Sequence, residues 1–206
     1  ATVDAKENGG FYRSEDEGQS WTKMGTTNPR PFYFSLPQAD PSDENRVYIG
    51  GTEFQMSDDK GKTFKNLPGM NVHPDYHAVW VNPNDNNQIL VGNDGGTAQS
   101  RDRGKTWEFL GTMRIGQFYA VAVDMRKPYW VYGGAQDNGS WGGPTQTRNG
   151  GVAYYHWISV GGGDGFYVEV DPEDWQTIYS ESQGGAVGRT NVETGEQRSA
   201  RPTPGA

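Results

Sequence analysis

The 206-residue sequence contains no cysteine, which excludes a disulfide framework and a thiol nucleophile. It has no apolar run approaching the length of a membrane span. Helix-forming runs of Ala, Leu, Glu and Lys are missing, and hydrophobic residues make up only 33%. A Gly-x-Ser-x-Gly nucleophile elbow is also missing. The formal net charge of −8 argues against a nucleic-acid backbone as partner and is compatible with neutral glycans, cationic peptides or calcium. No signal-peptide pattern opens the chain. Its start, ATVDAKENGG, runs at once into a strand, as expected of a mature or excised piece of something longer.

What is abundant is glycine, at 30 residues, with tryptophan, tyrosine and asparagine: an all-β, turn-rich balance. Within it one phrase recurs, Ser-x-Asp-x-Gly-x-Ser/Thr-aromatic. It runs from Ser14 through Asp16 and Gly18 to Trp21, from Ser57 through Asp59 and Gly61 to Phe64, and from Ser100 through Asp102 and Gly104 to Trp107. The serines stand 43 residues apart twice over, a period that suits one four-stranded propeller blade per repeat. The aspartates can accept hydrogen bonds from the amides of their own turn, and the glycines can take positive φ. The aromatic begins the outgoing strand and can pack between sheets. A calcium loop fits poorly, because Arg13, Met56 or Gln99 would occupy the position of its first aspartate.

The predicted organisation is an all-β propeller segment of four-stranded antiparallel blades, about three and a half of them, with the repeated phrase as the box of a blade. Residues 1–30 end a blade, 31–74 and 75–116 are blades, 117–164 is a blade lacking its box, and 165–206 is a partial blade and tail. Pro31 to Ala39, His77 to Pro83, Phe118 to Met125 and Phe166 to Pro172 read as innermost strands. Asp40, Asn82 and Asp124 repeat at 42 residues, so the period holds outside the box. In the third full repeat Gly143 falls where the next serine would stand, and NGSWGGPTQTRNGG reads as a long glycine-rich connection. The tail SARPTPGA is expected to fray. An open arc would leave strand edges bare, so the remaining blades are expected from the parent protein or another chain.

The repeated phrase resembles the Asp-box, or BNR repeat, of sialidases, sortilin-type receptors and related propellers. From Pro31 to about Glu196 the wording, including NVHPDYHAVWVNPNDNNQILVGNDGG and VGGGDGFYVEVDP, is similar to the bacterial secreted sortilin-type, glycosyl-hydrolase-like propellers. The resemblance implies an extracellular, cell-surface or periplasmic propeller whose box aspartates are structural.

Strands that alternate in direction put the second-to-third and fourth-to-first connections on one face, opposite the box hairpins. Glu53, Asp94, Asp137 and Glu181 follow second strands; His73, Asp75, His77 and Asp164 precede innermost ones. All fall on one face, where sites on rigid scaffolds are built. Asp94, Asp137, Asp164, His77 and Trp141 are the candidate ligand-binding residues. Asp94, Asp137 and Asp164 are also the catalytic candidates, and Asp137 with Asp164 a possible calcium site; no other cofactor is expected. The competing reading is that these aspartates cap tight turns. His73 and His77 flank Asp75 in a loop rather than on a helix, so a metal face is not favoured. Trp141, set among glycines, suits stacking on a sugar or plugging between blades, whereas Trp80, Trp107, Trp130 and Trp157 read as core. Asn138-Gly139-Ser140 is a glycosylation sequon by pattern. Three functions stay open: a module that binds glycan or peptide through its central face, a glycoside hydrolase with paired carboxylates, and a structural part of an extracellular assembly.

Overall fold

A computed structural model describes residues 1–67, 72–111, 115–148 and 150–202. The chain is all-β, and among the described residues its only helical pieces are three three-residue 3-10 turns. It divides into two compact units, Ala1–Met113 and Arg114–Ala206.

The first unit holds three sheets, each a meander of antiparallel neighbours in chain order. The first contains β1 (Thr2–Val3), β2 (Gly10–Arg13) and β3 (Thr22–Gly25). The second contains β4 (Leu36–Asp40), β5 (Asp43–Gly50), β6 (Phe54–Ser57) and β7 (Lys65–Asn66). The third contains β8 (Tyr76–Val81), β9 (Ile89–Asn93), β10 (Gly96–Ser100) and β11 (Glu108–Phe109). The second unit holds two four-stranded sheets. One is β12 (Phe118–Val123), β13 (Trp130–Ala135), β14 (Gly139–Pro144) and β15 (Ile158–Gly161). The other is β16 (Val168–Val170), β17 (Thr177–Ser182), β18 (Ala186–Asn191) and β19 (Gln197–Ser199).

The repeated phrase forms the hairpin between third and fourth strands. In its third copy the Ser100 hydroxyl donates to Asp102 Oδ1 (2.9 Å) and accepts from the buried Gly104 amide (2.8 Å). Asp102 in turn accepts from the Lys105 and Thr106 amides and, at 2.6 Å, from the Thr106 hydroxyl. Ser14–Asp16–Ser20 and Ser57–Asp59–Thr63 repeat the arrangement. These donors favour the ionised carboxylate. The Ser20 hydroxyl first, and then the Ser20 amide, holds Asp16 down at about 2, and the Thr106 hydroxyl and amide do the same for Asp102. Asp59 is lowered likewise by Thr63.

The closing aromatics pack one sheet on the one before. Phe64 meets Phe11 edge-on at 5.4 Å, and Trp107 meets Phe54 at 5.7 Å. A Cβ on Gly61 would strike the Phe11 ring, so this glycine is required both by its φ of 89° and by close approach. Trp21, in the first of the described sheets, is half exposed. Around these contacts lies a core of Tyr48, Phe54, Met56, Tyr76, Ile89 and Val91, with a smaller one of Phe11, Val47 and Ile49. In the second unit the core is Tyr132, Val160, Val168 and Ile178.

A second repeated device closes the first-to-second strand turn. Asp40, Asn82, Asp124 and Asp171 each accept the backbone amide two residues on. Such a side chain replaces the missing ladder partner at the strand end. Asp40 also reaches Asn86 and Arg103 of the next sheet, at 3.2 and 3.4 Å, and so joins two sheets.

Several sequence expectations change. Residues 1–30, expected only to end a blade, supply a three-stranded sheet, in which Thr2–Val3 pairs with Gly10–Phe11. Pro31 to Phe34 are not strand: Pro31 and Phe32 form the corner of a turn closed by the Tyr33 amide on the Arg30 carbonyl (3.1 Å), and β4 begins only at Leu36. The stretch around Trp141 is not a loop but strand β14, in ladder with both β13 and β15. Its glycines face rings: a Cβ on Gly142 would strike Tyr132, and one on Gly143 would strike Trp157. Trp157 immediately precedes β15, the place Trp107 holds before β11, so this sheet keeps the closing aromatic after losing the box. Trp80 is 45% exposed and not core. The end of the tail, 203–206, lies outside the described residues.

Candidate functional site

The face residues fall into two groups, one in each unit. In the first unit the β5–β6 hairpin carries Glu53 and the two-residue β9–β10 turn carries Asp94. The chain entering β8 carries His73, Asp75 and His77. These segments are bonded together: the Asp75 amide donates to Thr52 O (3.1 Å) and the Tyr76 amide to Gly51 O (2.8 Å). His73 backs onto Gly95, where any Cβ would collide with it. Opposite Ala78 and Tyr76 the β8–β9 register shifts, so that His77 is the extra residue of a bulge. A bulge redirects a side chain. His77 here meets Asp94, with Nε2 3.1 Å from Oδ1, and its ring lies 4.2 Å from the Phe34 ring. Asp75 is ion-paired with Arg30.

In the second unit the corresponding bulge falls on Tyr119, 42 residues beyond His77, where β12 shifts against β13 between Phe118 and Ala120. Tyr119 lies flat on Phe166, with ring centroids 5.1 Å apart and planes 14° from parallel. Its hydroxyl is raised above the ordinary tyrosine value, first by partial desolvation and then by the negative charges of Asp164 and Asp137. Asp137 and Asp164 are brought together as expected. The Asp137 amide donates to Asp164 Oδ1 (2.6 Å), and the Gln183 side-chain amide donates to Oδ2 (2.9 Å). Asp137 itself sits at φ 58° in the turn between β13 and β14.

Several glycines around these aspartates serve backbone-to-backbone approach. Gly139 N donates to Gly163 O (2.8 Å) and Gly165 N to Ala135 O (3.1 Å), tying the linker between β15 and β16 to the β13–β14 hairpin. A Cβ on Gly134 would strike Gly165, and one on Gly165 would strike Gly139 O. In GGGDGF this close backbone packing belongs to Gly165, whereas Gly161 and Gly163 leave room for the Ser180 and Gln183 side chains and Gly162 faces open space.

Trp141, 37% exposed, donates its indole N–H to Asn138 O (2.6 Å) and covers the Asp137 turn. Glu181 lies inside β17, in ladder with Val187, while its backbone also holds Phe166 and Tyr167. Ser140 of the sequon is wholly buried, while Asn138 is exposed and its side-chain amide donates to Gln136 O (2.8 Å). Tyr119, Phe166 and Gln183 were not singled out from the sequence. The 42-residue step from His77 would have found Tyr119, while Gln183 has no signal of its own. Among the described residues no group of three or more His, Asp or Glu side chains is arranged to hold a metal ion, and no helix is long and apolar enough to cross a membrane.

No family model matches the chain, and no curated protein matches it. Solved structures do. The GH74 xyloglucanase from Xanthomonas campestris is 14% identical, covering 91% of this chain and 33% of its own, with a TM-score of 0.38. The GH74 enzyme of Niastella koreensis is 19% identical over 99% of this chain and 35% of its own, with a TM-score of 0.38. YCF48 bound to D1 peptide is 15% identical over 96% of this chain and 63% of its own, with a TM-score of 0.40. The chain thus spans less than two thirds of the length of each. Its own ladders make it an all-β run of propeller-type, four-stranded sheets, and the likenesses lend it no activity, substrate or partner.

Proposed function

We propose that this chain is a module that binds a neutral glycan without cleaving it, at the polar site formed by Tyr119, Asp137, Asp164 and Gln183. One observation carries the reading: the bulge in β12 sets Tyr119 against Phe166 and within the field of both carboxylates. A sugar presents hydroxyl donors and an apolar C–H face. Each Asp164 oxygen already accepts one hydrogen bond and keeps a second lone pair for a hydroxyl. The exposed rings of Tyr119 and Tyr167 supply apolar area beside it. A carboxylate fixed by two donors suits a pre-set acceptor. A glycosidase needs one carboxyl that gives up a proton across a cleft. An extracellular or periplasmic setting is where such a ligand would be met.

The test is a screen of the 206-residue chain on an array of neutral oligosaccharides, followed by calorimetric titration of the best binder. Tyr119→Ala, and Asp137→Asn with Asp164→Asn, should each weaken binding about tenfold or more, since hydrogen bonds to charged groups contribute ~1.5–3 kcal/mol. Calcium titrated in the same cell addresses the other ligand these carboxylates could take. Failure of every neutral glycan, or full binding by both variants, would remove the reading.

A further inference from the structure

The first unit carries a surface of different chemistry. In the turn Arg30–Phe34, Phe32 is 82% and Tyr33 68% exposed, while the Tyr33 amide on the Arg30 carbonyl closes the backbone and the Tyr33 ring is packed edge-on to Phe34. The Arg30 guanidinium lies 5.1 Å from the centroids of both the Tyr33 and Phe34 rings and is ion-paired with Asp75. Phe34 is covered by His77, which is held by Asp94. The turn is anchored at its base by the Ser35 hydroxyl, which donates to Asn28 and accepts from the Arg30 amide. Solvent-facing rings that are already ordered lose little entropy when a partner covers them.

We propose that this aromatic platform is a docking site for an extended, proline-containing peptide segment bearing a Lys or Arg. Proline-rich chains dock on exposed aromatic rings because their polyproline conformation is preformed and their rings are apolar. The nearby carboxylates Asp75 and Asp94 are engaged by Arg30 and His77, so the platform has less to offer the hydroxyls of a sugar than the site around Asp164. Charge selects the basic residue. Glu53 is exposed, belongs to the loop that bonds to Asp75 and Tyr76, and makes no ion pair among the described residues. The unit as a whole is acidic, with 16 Asp and Glu against 11 Lys and Arg over residues 1–113. The inference goes beyond the glycan reading and does not rest on it.

Fluorescence anisotropy of the whole chain with a labelled Pro-Pro-Arg repeat peptide tests it, with a Gly-Ser-Arg repeat of equal charge as control. The proline peptide should bind roughly tenfold or more tightly than the control. Phe32→Ala with Tyr33→Ala should weaken binding about tenfold or more and lower melting only slightly, since Phe32 is solvent-facing and Tyr33 gives up only its exposed contact with Arg30. Glu53→Gln should weaken binding by roughly threefold and flatten its salt dependence. Tyr119→Ala should leave peptide binding intact, which separates this site from the glycan site. Equal affinity for the two peptides would reduce the effect to net charge. Wild-type binding by the Phe32 and Tyr33 variant, or loss of oligosaccharide rather than peptide binding in it, would overturn the proposal.

Discussion

Replacing Ser100 by alanine isolates what one hydroxyl of the repeated hairpin contributes. Ser100 is 1% exposed, and its oxygen accepts the Gly104 amide at 2.8 Å while donating to Asp102 at 2.9 Å. Alanine fits the same backbone, so no strain enters. What is lost is the hydroxyl that accepts a buried N–H, which water cannot reach. An orphaned buried donor costs ~1–3 kcal/mol. For a chain of this size that is ~2–4 °C of melting temperature per kcal/mol, or roughly 4–8 °C at the middle of the range. Ser14→Ala is the control, because the Gly18 amide that Ser14 accepts is exposed and water can replace the hydroxyl. It should shift melting by no more than ~2 °C. Thermal melts followed by circular dichroism compare the two. An unchanged melting temperature for Ser100→Ala, or equal shifts for both serines, would refute the claim that burial of the amide gives this hydroxyl its weight.

Asp59→Ala should lower the melting temperature while leaving glycan and peptide binding as in the wild type, because its hydrogen bonds all lie within its own hairpin; binding lost at unchanged stability would place the site on the hairpin side. Asp124→Ala should cost ~3–5 kcal/mol in chemical denaturation, since the buried carboxylate holds the Trp130 amide and the Arg126 guanidinium, which is stacked between Trp130 and Trp175 at 4.3 and 4.1 Å. Asp16 and Asp102 titrate at about 2 in the fold against 3.8 for the free side chain, so the stability they add is present above pH 3.8 and is lost as pH falls toward about 2. Melting temperature should therefore drop across that window, and Asp102→Asn should flatten the drop; a variant as steep as the wild type would contradict the assignment.

The fold was legible where its chemistry is local. The hairpin of Ser57, Asp59, Gly61 and Phe64 spans eight residues and contains its own donors and acceptors, so its function could be read from residue types alone. Four-stranded order followed from the period. The turn at Pro31–Phe34 was misread because three aromatics in a row imitate a strand, whereas proline at the corner and the Arg30–Asp75 pair decide the backbone. Asp137 and Asp164 could be placed together because two connections on one side of adjacent sheets must meet, and they do. Tyr119 could be reached only by carrying the 42-residue step over from His77, because a one-residue bulge does not itself show in an alternating pattern. The density of glycine around Asp164 pointed to ligand access from the sequence, but part of its cause, Gly134 against Gly165, lies across two sheets and is not local in the chain.

The most direct measurement is a single titration of the best-binding neutral oligosaccharide against the wild-type chain, read both as heat of binding and as reducing ends released over a day. The account predicts saturable binding that Tyr119→Ala weakens about tenfold or more, with no reducing ends above buffer. Release of reducing ends that disappears in the Asp137→Asn, Asp164→Asn variant while binding persists would contradict it and make the two carboxylates catalytic.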